Sequence, residues 1–259
     1  MELQGRVALV TGGGSGIGRA SARRLATEGM QVCVVDIDGD AGRVVADEIG
    51  GLAVTADVAD STQVDAAFSA CVEAFGGVDL AHLNAGITAG HPDLGTITDE
   101  IYERVRGVNL DGVVFGARAL IRTIRERSDG RDGGVIVATA SVAGIDPLGA
   151  PDPIYPLTKH GVVGFVRALA PALSAEGIAV HAICPGLTDT AILSEKLKTT
   201  FTGMGLPMIE PAQVADAVVA AATAGPEMSG TCWVVQPDET VAHDFVRVEG
   251  PHEALLQMR

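Results

Sequence analysis

The stretch at residues 7–18, VALVTGGGSGIG, decides the fold of this 259-residue chain. Its first four residues are apolar and predict a buried strand, and a glycine-rich turn follows directly after Thr11. The residues after the turn have helical periodicity up to Glu28. A strand, a glycine loop and a helix in this order open a βαβ unit, so the stretch predicts an α/β fold.

Seven short apolar runs predict strands covered on both faces, because their hydrophobic residues are nearly continuous rather than alternating. The runs lie at residues 7–10, 32–35, 52–54, 78–83, 135–137, 178–183 and 232–235. Helical segments alternate with them, at residues 18–28, 41–49, 62–75, 102–127, 156–174 and 211–223. This alternation predicts a single Rossmann-type domain over residues 1–259: a doubly wound parallel sheet of about seven strands with helices on both faces.

The composition excludes several classes of partner. There are 33 acidic residues against 18 lysines and arginines, a net charge of -15, so nucleic acid and anionic membrane surfaces would be repelled. The first residues lack the pattern of a signal peptide, and the apolar runs are shorter than the roughly 20 residues that span a bilayer. We therefore expect a cytoplasmic protein with no membrane partner.

The cysteines and histidines are spaced in no pattern that would assemble a metal site, so we expect no metal. They are Cys33, Cys71, Cys184, Cys232, His82, His91, His160, His181, His243 and His252. The cysteines fall mostly within apolar runs, which predicts reduced, buried thiols.

The glycine loop has the spacing of a dinucleotide-binding site. Gly12 permits a tight turn, Gly16 lets the backbone approach a pyrophosphate, and Gly18 lets the helix pack closely on the strand. Ile17 completes the start of the helix, whose unpaired N–H groups and positive dipole end would meet the phosphates.

An acidic residue at the end of the second predicted strand selects between the two nicotinamide dinucleotides. Asp36 can accept hydrogen bonds from both hydroxyls of the adenosine ribose and would repel a 2′-phosphate. Neither Ser15 in the loop nor Ile37 after the acid is basic, so the sequence predicts NAD rather than NADP. The alternative for Asp36 is a solvated turn shared with Asp38 and Asp40.

Three further residues predict acid/base chemistry. Tyr155 and Lys159 are four residues apart and would share one face of a helix. A free tyrosine has a pKa near ~10, and a neighbouring ammonium group favours the phenolate, so the pair predicts a tyrosine base whose pKa Lys159 lowers. Ser141 follows the fifth strand, at the edge where open α/β sheets bind ligands.

With these motifs, the chain resembles the compact, single-domain branch of the short-chain dehydrogenase/reductase family from residue 3 to about residue 235. The resemblance implies four catalytic residues, which are Asn109, Ser141, Tyr155 and Lys159. Besides the glycine loop, Asp36, Ile37, Tyr155 and Lys159, it implies cofactor contacts at Asp57, Val58, Asn84, Ala85, Gly86, Pro185, Gly186, Thr188 and Thr190.

The implied reaction interconverts a secondary alcohol and a ketone, with NAD accepting or supplying the hydride. In oxidation, Tyr155 would remove the hydroxyl proton while Ser141 holds the substrate oxygen. Lys159 would bind the nicotinamide ribose and depress the pKa of the tyrosine. Asn109 would hold a water molecule that carries the proton outward.

Some segments depart from the family pattern. Pro156 follows the tyrosine, which is compatible with a helix that starts at this point. The loop at residues 142–154 contains three prolines, and the tail after Val235 does not match the family. The charged run at residues 122–131 predicts a solvated helix end.

Residues 187–210 mix threonine, glycine and proline with apolar side chains and predict a mobile lid over the site. Its apolar residues would line a substrate pocket, which favours an apolar or cyclic small-molecule substrate. They are Ile192, Leu193, Leu197, Phe201 and Met204. The alternative is that they pack on the subunit's own surface.

Two other functions remain open at this stage. One is an NADPH-type ketoreductase acting on carrier- or thioester-linked ketones, against which Asp36 argues. The other is a catalytically idle NAD-binding sensor, against which the complete set of four catalytic residues argues. The resemblance and the apolar surplus of the two longest predicted helices also predict a homotetramer; deep burial within one subunit is the alternative.

Overall fold

The computed structural model describes residues 1–90, 93–128, 130–147 and 152–245. Within them lie eight strands: β1 Val7–Thr11, β2 Gln31–Asp36, β3 Leu52–Thr55, β4 Leu80–Leu83, β5 Gly134–Thr139, β6 Ile178–Pro185, β7 Cys232–Val235 and β8 Thr240–Ala242. The same residues contain the α-helices α1 Gly16–Thr27, α2 Gly39–Ile49, α3 Ser61–Phe75, α4 Asp99–Arg106, α5 Gly112–Glu126, α6 Ile154–Leu173, α7 Glu195–Gly203 and α8 Pro211–Thr223.

All eight strands form one sheet in the order β3-β2-β1-β4-β5-β6-β7-β8. Strands β1 to β7 pair in parallel, which confirms the predicted doubly wound parallel sheet. The order reverses direction between β1 and β4, and ligands of open α/β sheets bind at the carboxyl ends of the strands at such a point. The topology therefore predicts a ligand site at the loops after β1, β4 and β5.

The eighth strand is an addition to the predicted set. β8 lies in the tail that the sequence leaves unassigned and pairs antiparallel with β7, with Val241 opposite Val234. All three of its residues are exposed, so it carries none of the continuous apolar pattern by which the other seven strands are recognised.

Each face of the sheet has its own hydrophobic core. On one face α3, α5 and α6 pack through fully buried residues such as Leu120 and Val166. On the other face α1, α2 and α8 pack through residues such as Leu25 and Val218. Burying each such side chain stabilises the fold by about 1.5–3 kcal/mol, so the strand ends are held from both sides.

The helix predicted at residues 102–127 is confirmed as a helical segment, which runs from Asp99 to Glu126 but contains a π-helical turn that the sequence does not predict. α4 ends at Arg106, a π-helical turn covers Gly107–Asp111, and α5 begins at Gly112. A Cβ atom at Gly112 would lie 3.0 Å from the Val58 side chain, so glycine lets the chain pass close to the loop after β3. A π-helical turn adds a residue to the helix and shifts the side chains beyond it, which periodicity alone does not reveal.

The helix that carries Tyr155 begins at Ile154, two residues before the predicted start at Pro156. Proline is tolerated there because the N–H groups of the first turn have no partner within the helix. Asp152 accepts hydrogen bonds from the N–H groups of Ile154 and Tyr155 and so caps the helix. Pro151, in the preceding loop, lies outside the described residues.

The charged run at residues 122–131 is solvated on the helix itself, where Arg122, Arg125 and Glu126 are exposed, but the prediction fails for Arg127 and Arg131 just beyond it. Arg127 Nη1 and Arg131 Nη1 bind the Asp79 carboxylate at 3.0 and 2.7 Å, and Arg6 Nη1 lies 3.3 Å from it. The side chains of Asp79 and Arg127 are only 1% and 6% exposed. A buried carboxylate needs such partners, and this cluster joins the end of α5 to the amino end of the sheet.

The cysteines and the helices bear on two expectations from composition. The four cysteines are buried free thiols, which confirms that prediction. In the described parts of the chain, no helix combines the length and the apolar character needed to cross a bilayer.

The contact between α1 and the turn after β1 depends on Gly18, where a Cβ atom would lie 2.0 Å from the Gly12 carbonyl oxygen. We expect Gly18→Ala to push the helix away and to lower the free energy of unfolding by about 2–3 kcal/mol. The control is Gly164→Ala in α6, where no atom lies within 4 Å of the added Cβ. That change should stabilise the helix by about 0.5–1 kcal/mol. Urea denaturation measures both, and a wild-type midpoint for Gly18→Ala would contradict the packing argument.

Candidate active site

The glycine loop leaves the amino end of α1 open. Gly12 has a φ of +62°, and a Cβ atom there would lie 3.0 Å from Ala85 Cα, so the position requires glycine. Ser15 precedes α1 without capping it, and the first turn of α1 contains no acidic residue, whereas Asp38 and Asp60 cap α2 and α3. Among the described residues no side chain caps α1, and its free N–H groups suit an anion.

Asp36 lies at the end of β2 against this loop. Its Oδ2 accepts a hydrogen bond from Gly14 N at 2.8 Å, and its Oδ1 accepts one from Asp38 N at 3.0 Å. The carboxylate therefore belongs to the glycine loop as well as to the turn with Asp38. Ile37 is 70% exposed beside it and contributes no positive charge.

The loop after β3 reaches the same edge of the sheet. Asp57 Oδ1 accepts from Ala59 N at 2.9 Å, and Asp57 N donates to Gln63 Oε1 at the same distance. Val58 is buried beneath Gly112. This pair lies beyond the central cleft, on the side of Asp36.

A chain of side-chain hydrogen bonds joins the ends of β1, β4 and β5. Thr139 Oγ1 donates to Asn84 Oδ1 at 3.2 Å, so His82 Nε2 must donate to Thr139 Oγ1 at 2.9 Å, because the hydroxyl has one proton. Asn84 Nδ2 donates to Thr11 O at 3.1 Å. Burial lowers the pKa of His82 to about 3, so its ring is neutral and serves only as a fixed donor.

Lys159 lies beneath the cleft, 2% exposed, and its Nζ donates to Thr139 O at 2.7 Å. Nζ lies 5.6 Å from the ring centre of Tyr155, so the two side chains share one face of α6 as the spacing predicts. Burial lowers the pKa of Lys159 to about 8. A Cβ atom at Gly86 would lie 3.4 Å from Nζ, which leaves the lysine in close contact with the loop after β4.

Tyr155 is half-buried in the wall of the cleft. Burial raises the pKa of its phenol, hydrogen bonding with Ser141 opposes this, and Asp152 and Cys184 raise the pKa further. The net direction is opposite to the lowering that the sequence predicts for the pair. The physical reason is that burial disfavours the phenolate, while the ammonium group of Lys159 bonds to a backbone carbonyl instead of the phenol.

Ser141 stands where β5 ends and the short turn Val142–Gly144 begins. It is 8% exposed, and its Oγ accepts a hydrogen bond from Ala143 N at 3.1 Å. The strand and the turn together hold the hydroxyl beside the Tyr155 phenol.

Asn109 is fully buried in the π-helical turn behind Gly86. Its Oδ1 accepts from Ile87 N at 2.8 Å, and its Nδ2 donates to Ile87 O at 2.9 Å and to Thr158 Oγ1 at 3.1 Å. Both amide hydrogens are thus used by protein groups. The side chain fixes the loop after β4 to α6, a structural use that the sequence does not predict.

A cleft of about 540 Å³ opens above these groups. Fourteen of the predicted site residues line it: Gly12, Ser15, Gly16, Ile17, Asn84, Ala85, Gly86, Ser141, Tyr155, Lys159, Pro185, Gly186, Thr188 and Thr190. The other predicted residues lie outside its lining: Gly18, Asp36, Ile37, Asp57, Val58 and Asn109. A larger groove of about 760 Å³ between α3 and α5 contains none of the predicted site residues.

The segment at residues 187–210 borders the cleft and is closed at its base. Ile209 N donates to Leu187 O at 2.7 Å, and Asp189 N donates to Ile209 O at 3.0 Å. Ile192 and Leu193 line the cleft as the lid interpretation predicts, whereas Leu197, Phe201 and Met204 are outside its lining. None of the residues of α7 within this segment is buried.

Sequence reasoning missed two residues that hold the site together. Thr158 accepts a hydrogen bond from Asn109 and donates one to the Tyr155 carbonyl oxygen, and its position three residues after the tyrosine could have revealed it. Asp152 precedes a proline and the start of a helix, a recognisable capping pattern. Its carboxylate also accepts from Ala89 N at 3.1 Å.

No group of three or more histidine, cysteine or acidic side chains with the geometry of a metal site occurs in the described portion of the chain. His91 and His252 lie outside that portion. His82 and His181 are fully buried, so they are core histidines.

Lys159→Met tests how much the buried ammonium group costs in stability. The depressed lysine pKa destabilises the folded chain below about pH 8, and this penalty disappears as the pH rises from about 8 to the unfolded value of 10.5. Allowing for the lost bond to Thr139, we expect the variant to be more stable at neutral pH by about 1–2 kcal/mol. Denaturation at neutral pH and near pH 10.5 measures the gain, which should shrink at the higher pH.

The matched control is Lys198→Met. Ion pairs with Asp189 and Glu195, at 2.7 and 3.0 Å, raise the pKa of Lys198, so its removal should give no gain. A Lys159→Met variant that is less stable than wild type at both pH values would contradict the assignment of a buried ammonium cost.

Known proteins similar in sequence to this chain include dehydrogenases and reductases. The family model for short chain dehydrogenases matches residues 6–200. Levodione reductase of Leifsonia aquatica is 37% identical over 200 residues, 74% of this chain and 73% of that protein. The 15-hydroxyprostaglandin dehydrogenase of Homo sapiens, whose name specifies NAD(+), is 37% identical over 202 residues, 74% of this chain and 72% of that protein.

A solved structure extends the similarity to most of the fold. The 3-ketoacyl-(acyl-carrier-protein) reductase of Brucella melitensis, complexed with NADH, has a TM-score of 0.79 at 35% identity and covers 91% of this chain and 98% of its own. The matched region contains the glycine loop, Ser141, Tyr155 and Lys159. The chain therefore belongs to the short-chain dehydrogenase/reductase family, oxidoreductases that act on CH–OH groups.

Proposed function

We propose that the chain catalyses the NAD-dependent interconversion of a secondary alcohol and a ketone, with Tyr155 as general acid/base. The observation that carries the proposal is the convergence of Ser141, Tyr155 and Lys159 on one cleft that also contains the glycine loop. A hydroxyl donor, a phenol and a buried ammonium group side by side suit proton transfer to or from a substrate oxygen.

The residues present fit a dinucleotide. The uncapped amino end of α1 suits the pyrophosphate, as the phosphates of a dinucleotide meet free N–H groups in such loops. Asp36 and Ile37 would hold the adenosine ribose, and Asp57 and Val58 would lie along the adenine. The residues at the nicotinamide end would be Asn84, Ala85, Gly86, Tyr155, Lys159, Pro185, Gly186, Thr188 and Thr190. When bound, NAD would supply the acceptor or donor of hydride.

The proposed proton chemistry belongs to the chain's own residues. In alcohol oxidation the Tyr155 phenolate takes the hydroxyl proton, and the Ser141 hydroxyl donates a hydrogen bond to the substrate oxygen as its charge changes. The ammonium group of Lys159 favours the phenolate against the effect of burial. Asn109 ties the loop after β4 to α6 and so keeps Gly86 close to Lys159.

An apolar or cyclic substrate is supported by the apolar side chains of Ile192 and Leu193 at the cleft. Residues 187–210 would then act as a lid within a single domain of residues 1–259. The similarity to 3-ketoacyl-(acyl-carrier-protein) reductase keeps carrier-linked ketones as a second candidate substrate class.

We also propose a cytoplasmic homotetramer that binds a small-molecule substrate. Partly buried apolar residues on the long helices, such as Phe115 on α5 and Phe165 and Leu169 on α6, support an association surface. The net charge of -15 weighs against nucleic acid and anionic membranes as partners.

Replacing Tyr155 by phenylalanine tests the role of the phenol. We expect Tyr155→Phe to reduce kcat by at least about 100-fold, because the proton acceptor is lost. NADH affinity, measured by fluorescence titration, should remain within about twofold of wild type, since the ring that packs in the cleft is kept. Tyr102→Phe on α4, outside the cleft, is the control and should keep wild-type activity. Retention of most activity by Tyr155→Phe would reject the assignment.

Cofactor choice is predicted from Asp36. A dianionic 2′-phosphate would lie within a few ångströms of this carboxylate, at a cost on the order of a few kcal/mol. Each ~1.4 kcal/mol is a tenfold ratio, so kcat/KM should favour NAD over NADP by roughly two orders of magnitude.

Asp36→Ala combined with Ile37→Arg should shrink or invert this preference, because the repulsion is removed and a phosphate partner is supplied. Each single variant separates the two effects. Steady-state kcat/KM with both cofactors is the measurement, and equal use by the wild type or an unchanged ratio in the double variant counts against contact between Asp36 and the ribose.

A further inference from the structure

Asp152 is a buried carboxylate at the edge of the proposed reaction site. It lies two residues before α6, is 2% exposed, and belongs to none of the motifs that the family resemblance covers. In the described portion of the chain, its hydrogen bonds all come from backbone N–H groups. A carboxylate kept this far from water needs such donors, and their positions reveal what it holds.

One carboxylate oxygen fixes the start of α6. Asp152 Oδ1 accepts from Ile154 N at 2.9 Å and from Tyr155 N at 2.7 Å. Pro156 has no N–H group, so these bonds satisfy both donors that open the helix. The backbone of Tyr155 is thereby tied directly to the acid.

The other oxygen binds the loop after β4. Asp152 Oδ2 accepts from Ala89 N at 3.1 Å, in the loop after β4. Asn109 holds the same loop two residues earlier through both backbone groups of Ile87. Thr88 lies between these anchors and lines the cleft, so Asp152 and Asn109 together fix a wall of the site.

The carboxylate also acts on the phenol electrostatically. The groups that face Tyr155 are Lys159 on α6, Cys184 on β6, Ser141 after β5 and Asp152 itself. Among these four groups Asp152 carries the carboxylate, and its negative charge opposes ionisation of the Tyr155 phenol. It therefore works against Lys159.

We propose that Asp152 is a positioning residue for the reaction: it holds Tyr155 and the loop wall at Ile87–Ala89 in fixed register and sets the field at the phenol oxygen. The proposal rests on the proposed function, in which that phenol transfers the substrate proton. It assigns Asp152 no contact with substrate. The negative charge of Asp152 favours the protonated form of the phenol.

A spectroscopic test needs no substrate. The chain has two tyrosines, so a Tyr102→Phe background leaves Tyr155 alone. Incorporated 3-fluorotyrosine, whose phenol is more acidic, then reports the ionisation of Tyr155 by fluorine NMR. Asp152→Asn keeps the size and one acceptor oxygen but removes the charge, and we expect it to lower this pKa by about half a unit to one unit.

A kinetic test measures how far Asp152 positions the phenol of Tyr155. Asp152→Ala removes all three hydrogen bonds, and we expect kcat to fall about 10- to 100-fold as the phenol loses its alignment, with NADH affinity unchanged. Asp152→Asn should recover part of the loss and shift the acidic limb of the oxidation profile to lower pH. Thr98→Ala, which removes the cap of α4, is the control for helix capping alone and should change neither kcat nor the pH profile.

The outcomes separate the two hypotheses. An unchanged fluorine titration in Asp152→Asn, or wild-type kcat in Asp152→Ala, overturns the role of Asp152. Loss of thermal stability alone, as in Thr98→Ala, also overturns it, because that is a purely structural cap. A lowered Tyr155 pKa in a protein that turns over no alcohol or ketone supports the field exerted by Asp152 and rejects the proposed function instead.

Discussion

The position of Thr139 at the end of β5 is the constraint on which the candidate site depends. Its carbonyl oxygen accepts the hydrogen bond from Lys159, and its hydroxyl links His82 to Asn84. Strand pairing stops at this edge, so the backbone groups there need other partners, and Asn84 provides one for Thr11. Thr139 therefore fixes the position of Lys159 directly and that of the glycine loop through Asn84. The hydrophobic cores on both faces keep Thr139 in place, because they bury the strands from both sides.

The site places ionisable groups where water cannot stabilise their charges. Burial lowers the pKa of Lys159 to about 8 and raises that of Tyr155, so at neutral pH the phenol is protonated, while the lysine remains an ammonium group whose charge is disfavoured by burial. The negative charge of Asp152 raises the pKa of Tyr155 further. Such a site costs stability, and the hydrophobic cores on the two faces of the sheet offset that cost.

The sequence predicts the sheet and the loops at its edge because local patterns encode them: apolar runs, the spacing of Gly12, Gly16 and Gly18, and the four-residue step from Tyr155 to Lys159. It does not predict β8, whose exposed residues carry no apolar pattern, or the π-helical turn, after which Gly112 packs against Val58 in the loop after β3. Arg127 is buried because Asp79, distant in sequence, binds it. The sequence also does not predict that the pKa of Tyr155 is raised, because this shift comes mainly from burial and not from Lys159.

The most direct test of the proposed chemistry is nicotinamide absorbance measured across a panel of secondary alcohols and ketones, in both directions and with both NAD and NADP. The proposal predicts turnover with NAD on at least one neutral, apolar or cyclic member of the panel. Turnover only with NADPH on thioester-linked ketones would instead identify a biosynthetic ketoreductase. No turnover of any member of the panel, together with measurable NADH binding, would contradict the central claim and indicate a dinucleotide-binding protein without alcohol dehydrogenase activity.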